Sequence, residues 1–148
     1  MKTLIKRITS TDAGLDTLPL RVGAGVVFAA HGAQKLFGSF GGYGLEGTAG
    51  WMESIGLAPG LLMAAMAGSA EFFGGLLLIA GLLVRPSAFV LAITMLVAIL
   101  TVHLQNGLFM SNNGFEYGLA LLAISISLVF RGAGSLSADQ LLNTQYLK

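Results

Sequence analysis

The sequence contains no cysteine, and this absence excludes several kinds of chemistry. Disulfide exchange, thiolate catalysis, and zinc or iron–sulfur sites with cysteine ligands cannot be built from this chain. Charged residues are also scarce, at 10% of the 148 residues, whereas an ordinary soluble domain has about 25%. Hydrophobic residues make up 55%, so too few charged groups remain to cover the surface of such a domain in water. The composition therefore predicts an integral membrane protein.

The chain also lacks a strong excess of one charge. Its formal net charge is +1, and it has no basic stripe of the kind that binds nucleic acid. The first residues are basic but have no apolar core before Leu18, unlike a cleavable secretion signal. We expect residues 1–17 to form a cytoplasmic tail, and we expect no nucleic-acid partner.

Four apolar runs approach the length of about 20 residues that a membrane-spanning helix needs. They cover residues 18–37, 59–84, 86–105 and 116–130. Pro19 and Pro86 fall in first-turn positions, where the missing N–H of proline costs no hydrogen bond. Short links between the runs favour an up-down-up-down arrangement. The sequence predicts an all-α, integral membrane, antiparallel four-helix bundle over residues 18–132, followed by a cytoplasmic tail at 133–148.

A soluble four-helix bundle is the alternative to this interpretation. It would need a polar face on each helix. The third run, which begins PSAFVLAITMLVAIL, has Ser87 and Thr94 but no charge before His103. Because this run has no side suited to water, the membrane interpretation is favoured.

Lysine and arginine are distributed unevenly around the four runs. Seven of the eight lie before or at the start of the first run, between the second and third, or after the fourth, and the eighth is Lys35. Loops rich in these residues stay on the cytoplasmic side of a membrane. We therefore predict a multi-pass protein of the bacterial inner membrane with both termini cytoplasmic. The loops of residues 38–58 and 106–115 are predicted to face outward.

Several of the 21 glycines fall within the apolar runs. Small residues let helix backbones approach closely in lipid, where no hydrophobic force drives helices together. We expect this role for Gly23, Gly25, Gly74, Gly75 and Gly81. The outer loop also carries Tyr43 and Trp51, for which interfacial anchoring is the favoured role and stacking on a ligand the alternative.

Six polar side chains in or beside the runs are candidates for ligand binding or a proton relay: His31, Gln34, Lys35, Glu71, His103 and Glu116. An ionisable group at the centre of a membrane helix costs about 2.5–3.5 kcal/mol, so such groups usually face the bundle interior with a partner. Glu71 is the clearest case, because it lies well inside the second run. His31, Gln34 and Lys35 share one region of the first helix, and we expect Glu71 to point toward it. The predicted depths allow a contact between His31 and Glu71 without requiring it.

The other candidates have simpler alternatives. Lys35 can extend to the membrane surface instead of forming a buried ion pair. His103 near a helix end suits an interfacial or capping role, and Glu116 at a helix start is favoured by the helix dipole. Arg21 is expected to be a charge at the inner surface. No two histidines, and no Glu-x-x-His pair, share one helix, so no metal site is predicted.

Three stretches of the chain resemble the DoxX family of small bacterial four-helix membrane proteins: RVGAGVVFAAHGAQKLFG, SAEFFGGLLLIAGLLVRPSA and NGFEYGLALLAISISLVFRGAGSLSAD. The resemblance covers about residues 20–140. Its features are, in chain order, Arg21, Gly32, Lys35, Glu71, Gly81, Arg85, Gly132, Gly134, Ser137 and Asp139. The family is named for a subunit of thiosulfate:quinone oxidoreductase, so the resemblance implies a link to a redox complex at the membrane. It carries over no catalytic residues.

We therefore predict a small inner-membrane component of a redox system that binds quinone or another lipophilic ligand in the outer half of the bundle. His31 and Glu71 would be the proton or hydrogen-bond partners of its polar end. No flavin or haem site is evident in the sequence, so a redox partner protein would supply electrons. Membrane lipid is a further partner, and a homo-oligomer is left open. The alternative is a non-enzymatic accessory subunit or a small solute or proton pathway.

Overall fold

The computed structural model describes residues 6, 8–11 and 13–146, and all regular structure in this part of the chain is helical. The all-α prediction is thus confirmed. The helices are α1 (Thr17–Phe37), α2 (Gly44–Ser54), α3 (Gly60–Ala80), α4 (Val84–Ala98), α5 (Glu116–Arg131) and α6 (Ala138–Tyr146).

The four long helices alternate in direction. Gly25 of α1 lies against Gly75 of α3, and Lys35 of α1 reaches Glu71 of α3. The later residue of α1 thus meets the earlier residue of α3, so the two helices are antiparallel. Helices α4 and α5 are paired in the same way, since Arg85 bonds to the carbonyl of Phe130 at one end. One end of the bundle contains the α3–α4 turn, the residues before α1 and the residues after α5. We call it the terminal end. The opposite end, with residues 38–59 and 107–115, is the loop end.

The four long helices share one apolar core. Its fully buried members include Phe28 on α1, Leu78 on α3, Leu91 on α4 and Leu128 on α5. Helix α1 packs most extensively on α3, and α4 on α5. Contacts between α3 and α4 are fewer, which leaves space between these two helices toward the loop end.

Glycines allow the close packing of α1 on α3. A Cβ atom added to Gly75 would lie 2.5 Å from the backbone nitrogen of Ala29, and one added to Gly25 would lie 2.7 Å from the carbonyl oxygen of Gly75. Any larger residue at either position would force the two backbones apart. Gly23 has open space around it, so the prediction that it mediates packing is wrong.

Two helices in the described residues are long and apolar enough to cross a membrane: Gly60–Ala80, with 21 residues, and the continuous helical segment Val84–Asn106, with 23. The second extends α4 through a π-helical turn at Ile99–His103 and a 3₁₀ turn at Leu104–Asn106. Single π turns occur often at functional sites, because the extra residue redirects the side chains that follow it. The sequence analysis did not predict this turn.

The loop-end segment of residues 38–59 contains the amphipathic helix α2, which the sequence analysis did not predict. Ala49 and Met52 of α2 pack against Ala64 of α3 in a small apolar cluster. The Glu53 carboxylate accepts a hydrogen bond from the backbone N–H of Gly60 at 3.0 Å and so caps the start of α3. Helix α2 therefore covers the loop end of the bundle.

Arg21 is buried, with 1% of its surface exposed, and the prediction that it is an inner-surface charge is wrong. Its guanidinium donates hydrogen bonds to the carbonyls of Leu78 and Ile79 at the end of α3, at 3.1 and 2.7 Å. It also donates to the carbonyls of Ala133 and Leu136 beyond α5, at 3.1 and 2.6 Å. A buried charge needs such partners. These partners are backbone carbonyls, which no side-chain pattern reveals.

Asp139, on α6, holds the α3–α4 turn. Its carboxylate accepts hydrogen bonds from the backbone N–H groups of Leu83 and Val84, at 2.8 and 3.0 Å, where α4 begins. Burial raises the pKa of Asp139 above its ordinary value, while the two backbone bonds and the nearby arginines act in the opposite direction. Residues 133–146 are therefore fastened to the bundle at its terminal end.

Gly81 lies between these groups, at the end of α3. Its φ of 68° is in the left-handed region that favours glycine. A Cβ atom there would lie 2.6 Å from the Cβ of Ser137, so the turn also has no room for a side chain. The left-handed backbone and the lack of space for a side chain both require glycine at position 81.

Candidate ligand-binding cavity

A cavity of about 720 Å³ opens at the loop-end half of the bundle, between the four long helices and α2. Most of its wall is apolar. Phe28, Met63, Met66, Ile93, Val97 and Leu121 are among the residues that line it. A volume in the range of about 300–1,000 Å³ with a mainly apolar wall is typical of a small-molecule site.

An ion pair between Lys35 and Glu71 lies in the wall of this cavity. The Lys35 Nζ atom is 2.5 Å from Oε2 of Glu71. Lys35 is in the last turn of α1 and Glu71 is midway along α3, and the antiparallel crossing of the two helices places them side by side. Gly68, one turn before Glu71, has no room for a side chain beside Leu36, which keeps the helices close at this level. Of the two roles considered for Lys35, extension to the membrane surface or an ion pair within the bundle, the structure contains the ion pair.

The two partners are not equally buried. The side chain of Glu71 is 5% exposed and that of Lys35 is 24% exposed. A lysine ammonium has three N–H donors, and one is used by Glu71. The other two have no hydrogen-bond partner among the described residues. Lys35 therefore presents donors to the cavity, and Glu71, which also lines the cavity, is the more buried partner.

His31 also lines the cavity, one turn before Lys35 on α1. Its ring is tilted against that of Tyr117 on α5, with 6.3 Å between the ring centroids. Glu71 points toward the α1 face that carries His31 and Lys35, but its bonded partner is Lys35.

His103 lies in the π turn of α4 and contributes to the cavity wall. Its Nδ1 atom is 2.9 Å from the carbonyl oxygen of Asn113. Because a carbonyl can only accept a hydrogen bond, Nδ1 carries the proton. In the neutral ring, Nε2 is then the acceptor. The π turn thus adds a hydrogen-bond acceptor at the loop end.

The other two predicted candidates do not line the cavity. Gln34 makes a long hydrogen bond from Nε2 to the carbonyl of Phe40, at 3.4 Å. Glu116 is the first residue of α5, and its Oε1 accepts a bond from the backbone N–H of Met110 at 2.7 Å. Both side chains organise loops. The structure therefore brings together His31, Lys35, Glu71 and His103.

Sequence reasoning missed several residues of the cavity wall. Met52, Met63, Met66 and Met95 bring four thioethers to it from three helices, and Tyr117 adds a phenol. Tyr43 and Trp51, for which the sequence analysis gave stacking on a ligand as the alternative role, also line the cavity. Methionine adapts its shape to an irregular apolar partner. Met63 and Met66 are three residues apart on one face of α3, but only the packing of α2 and α4 against α3 brings Met52 and Met95 to the same wall.

The features that resemble the DoxX family fall into two places. Gly32, Lys35 and Glu71 lie at or beside the cavity, whereas Arg21, Gly81, Arg85, Gly132, Gly134, Ser137 and Asp139 lie at the terminal end. At that end Arg85 donates to the carbonyls of Ser10, Val129 and Phe130, and so links three segments of the chain. The second group holds the bundle together at its terminal end, and the first group lies at or beside the cavity.

Comparison with known proteins supports the same family. Residues 17–104 match the DoxX family. The chain is 38% identical over 125 residues to a protein of Bacillus subtilis (strain 168) named "Putative oxidoreductase CatD", covering 84% of this chain and 85% of the relative. It is 32% identical over 127 residues to an uncharacterized protein of Haemophilus influenzae, covering 81% of this chain and 85% of that protein. No solved structure matches the chain.

Proposed function

The chain belongs to the DoxX family, and on that premise we propose that it is a small membrane component of a redox system that binds a quinone or a similar lipophilic ligand in the cavity. The observation that carries this proposal is the Lys35–Glu71 pair in a mainly apolar cavity of about 720 Å³. A quinone needs an apolar slot and a few hydrogen-bonding groups at its ring oxygens. The oxidoreductase name of the Bacillus relative supports the redox assignment.

Lys35 is the group that meets the ligand in this proposal. It is the more exposed partner of the pair, and its two remaining N–H donors suit the carbonyl oxygen of a quinone. Glu71, the more buried partner, holds the ammonium in place. The acceptor nitrogen of His103 suits a hydroxyl group, so the cavity offers partners for both the quinone and the quinol form.

Reduction of a quinone to a quinol takes up two electrons and two protons. His31 and Lys35 are one helical turn apart on the cavity wall, and Glu71 is bonded to Lys35. We assign these three residues to the proton path. A redox partner protein supplies the electrons.

The proposed setting is the bacterial inner membrane, crossed four times with both termini in the cytoplasm. Helices α3 and α4 meet the length and composition of a span. Helices α1 and α5 run beside them, and the 16 residues of α5 span a thin or locally adapted bilayer. The basic residues at the terminal end support its cytoplasmic orientation.

The test is equilibrium binding of menadione, a naphthoquinone without a tail, to the purified full chain in detergent. Lys35→Met should weaken binding about tenfold or more, since a hydrogen bond to a charged group contributes about 1.5–3 kcal/mol. Lys6→Met removes an exposed lysine and is the matched control, expected to bind like the parent. The double variant Lys35→Met/Glu71→Leu leaves no charge unpaired and should also bind weakly while remaining folded.

Equal affinity of the parent and Lys35→Met for menadione would contradict the role of Lys35. No saturable binding to the parent would contradict the quinone proposal itself. That second outcome would favour the alternative, a non-enzymatic accessory subunit or a solute or proton pathway in which the Lys35–Glu71 pair is the carrier.

A further inference from the structure

A second, smaller concavity lies between α3 and α4, closer to the terminal end. This groove has a volume of about 270 Å³. Its wall is almost entirely apolar and includes Ala70, Phe73 and Leu77 on α3, Pro86 and Val90 on α4, and Leu83 in the turn between the two helices. The groove contains none of the polar groups that the large cavity offers to a ligand head.

The groove continues the large cavity along the same two helix faces. Val90 lines both spaces. On α3, Met66 lines the cavity, and Ala70, four residues later, lines the groove. On α4, Thr94 lines the cavity, and Val90, four residues earlier, lines the groove. Residues four apart share one face of a helix. The two spaces are therefore parts of one crevice between α3 and α4.

The crevice is open on its outer side. Phe73 is 56% exposed and Val90 is 46% exposed. The two helices that bound the groove are the two that are long and apolar enough to cross a membrane. The surroundings of the groove are then lipid hydrocarbon, with no water to solvate a polar occupant. A hydrocarbon chain is the occupant that fits.

We propose that the ligand of the large cavity is a long-tailed amphiphile whose hydrocarbon tail leaves between α3 and α4 and lies in this groove. The inference rests on the proposed function and names the substrate class more narrowly. The polar head lies at Lys35, and the tail passes Val90 toward the α3–α4 turn. On α4 the groove runs from Val90 back to Pro86, a rise of about 6 Å, and it ends at Leu83 in the α3–α4 turn.

The experiment compares two probes with the same ring: menadione, which has no tail, and a menaquinone with a long isoprenoid tail. Ala70→Phe fills the groove without altering the cavity wall, because Ala70 lines only the groove. Ala80→Phe is the matched control on the same helix, at an exposed position that lines neither space. Val90→Trp narrows the junction itself and is the second blocking variant.

We expect Ala70→Phe and Val90→Trp to weaken binding of the long-tailed quinone about tenfold or more, because the larger side chain takes the space of the tail. Menadione should bind to Ala70→Phe as it does to the parent, and Ala80→Phe should change neither affinity. Unchanged binding of the long-tailed quinone to both blocking variants would overturn the groove assignment and leave menadione binding intact. Failure of both quinones to bind the parent would instead overturn the proposed function, and the groove assignment with it.

Discussion

Glu71 lies within the bundle with 5% of its side chain exposed, and Lys35 is its ion-pair partner. Glu71→Leu would leave the Lys35 ammonium in an apolar wall without that partner. We expect the free energy of unfolding in detergent to fall by about 1–3 kcal/mol. Glu71→Gln keeps the shape and a hydrogen-bond acceptor, and should lose less stability. Denaturant titration of the two variants measures the difference.

The double variant Lys35→Met/Glu71→Leu is the control for this interpretation. Removing both partners leaves no buried charge without a counter-charge, so the double variant should be more stable than Glu71→Leu alone. A neutral Glu71→Leu variant, together with a double variant that is no better, would show that the pair contributes nothing to folding.

Asp139 gives a pH-dependent prediction, since it lies beyond the proposed spans. Burial raises its pKa in the folded state, so the folded protein binds this proton more tightly than the unfolded chain does. Its contribution to the free energy of unfolding should therefore grow as the pH falls from neutral through the raised pKa, and level off below the ordinary value of 3.8.

The comparison with Asp139→Asn isolates this contribution, because other carboxylates titrate equally in both proteins. Unfolding should be measured from pH 7 down to pH 4, and the parent should gain stability relative to the variant as the pH falls. If the parent instead loses stability relative to Asp139→Asn as the pH falls, the backbone N–H groups at the start of α4 and the arginines stabilise the charged carboxylate by more than burial destabilises it.

Among the elements, the α1–α3 contact positions the ion pair. A Cβ atom at Gly75 would lie 2.5 Å from the Ala29 nitrogen, so Gly75→Ala must push the two helices apart. We expect a loss of about 1–3 kcal/mol in unfolding free energy, typical of overpacking, together with weaker menadione binding as Lys35 and Glu71 separate.

Gly23→Ala is the matched control in α1, because nothing lies within 4 Å of a Cβ atom there. Alanine favours a helix over glycine by about 0.5–1 kcal/mol, so this variant should be neutral or slightly more stable. If both variants had the same effect, the stability change would reflect helix propensity and not helix contact.

The sequence predicted the helices better than their contacts. Apolar runs of about 20 residues reveal long helices regardless of their neighbours. Helix α2 escaped notice because Gly44, Gly47 and Gly50 lower its intrinsic propensity, and its stability comes from Met52 packing near Ala64 of α3. The π turn at Ile99–His103 likewise leaves no pattern in the sequence.

For the molecule as a whole, the sequence set Lys35 apart from the other seven lysines and arginines but did not reveal most of the cavity wall. Glu71 and Lys35 were recognisable because ionisable groups within apolar runs need partners. The carbonyl partners of Arg21 lie more than 50 residues away along the chain, as Leu78 does. These features arise only when the four long helices are assembled.

The proposed orientation of the whole molecule gives the last prediction. The chain has no cysteine, so single-cysteine variants report accessibility without background labelling. Tyr43 is 84% exposed at the loop end, and Thr144 is exposed on α6 at the terminal end. A membrane-impermeant maleimide should label Tyr43→Cys in intact spheroplasts, and should label Thr144→Cys only after the membrane is opened. The reason for this expectation is the clustering of basic residues at the terminal end, since loops rich in lysine and arginine stay on the cytoplasmic side of a membrane. Labelling of Thr144→Cys alone in intact spheroplasts would contradict the orientation. Labelling of both variants before lysis would contradict the odd number of proposed spans, α3, α4 and α5, between the two positions.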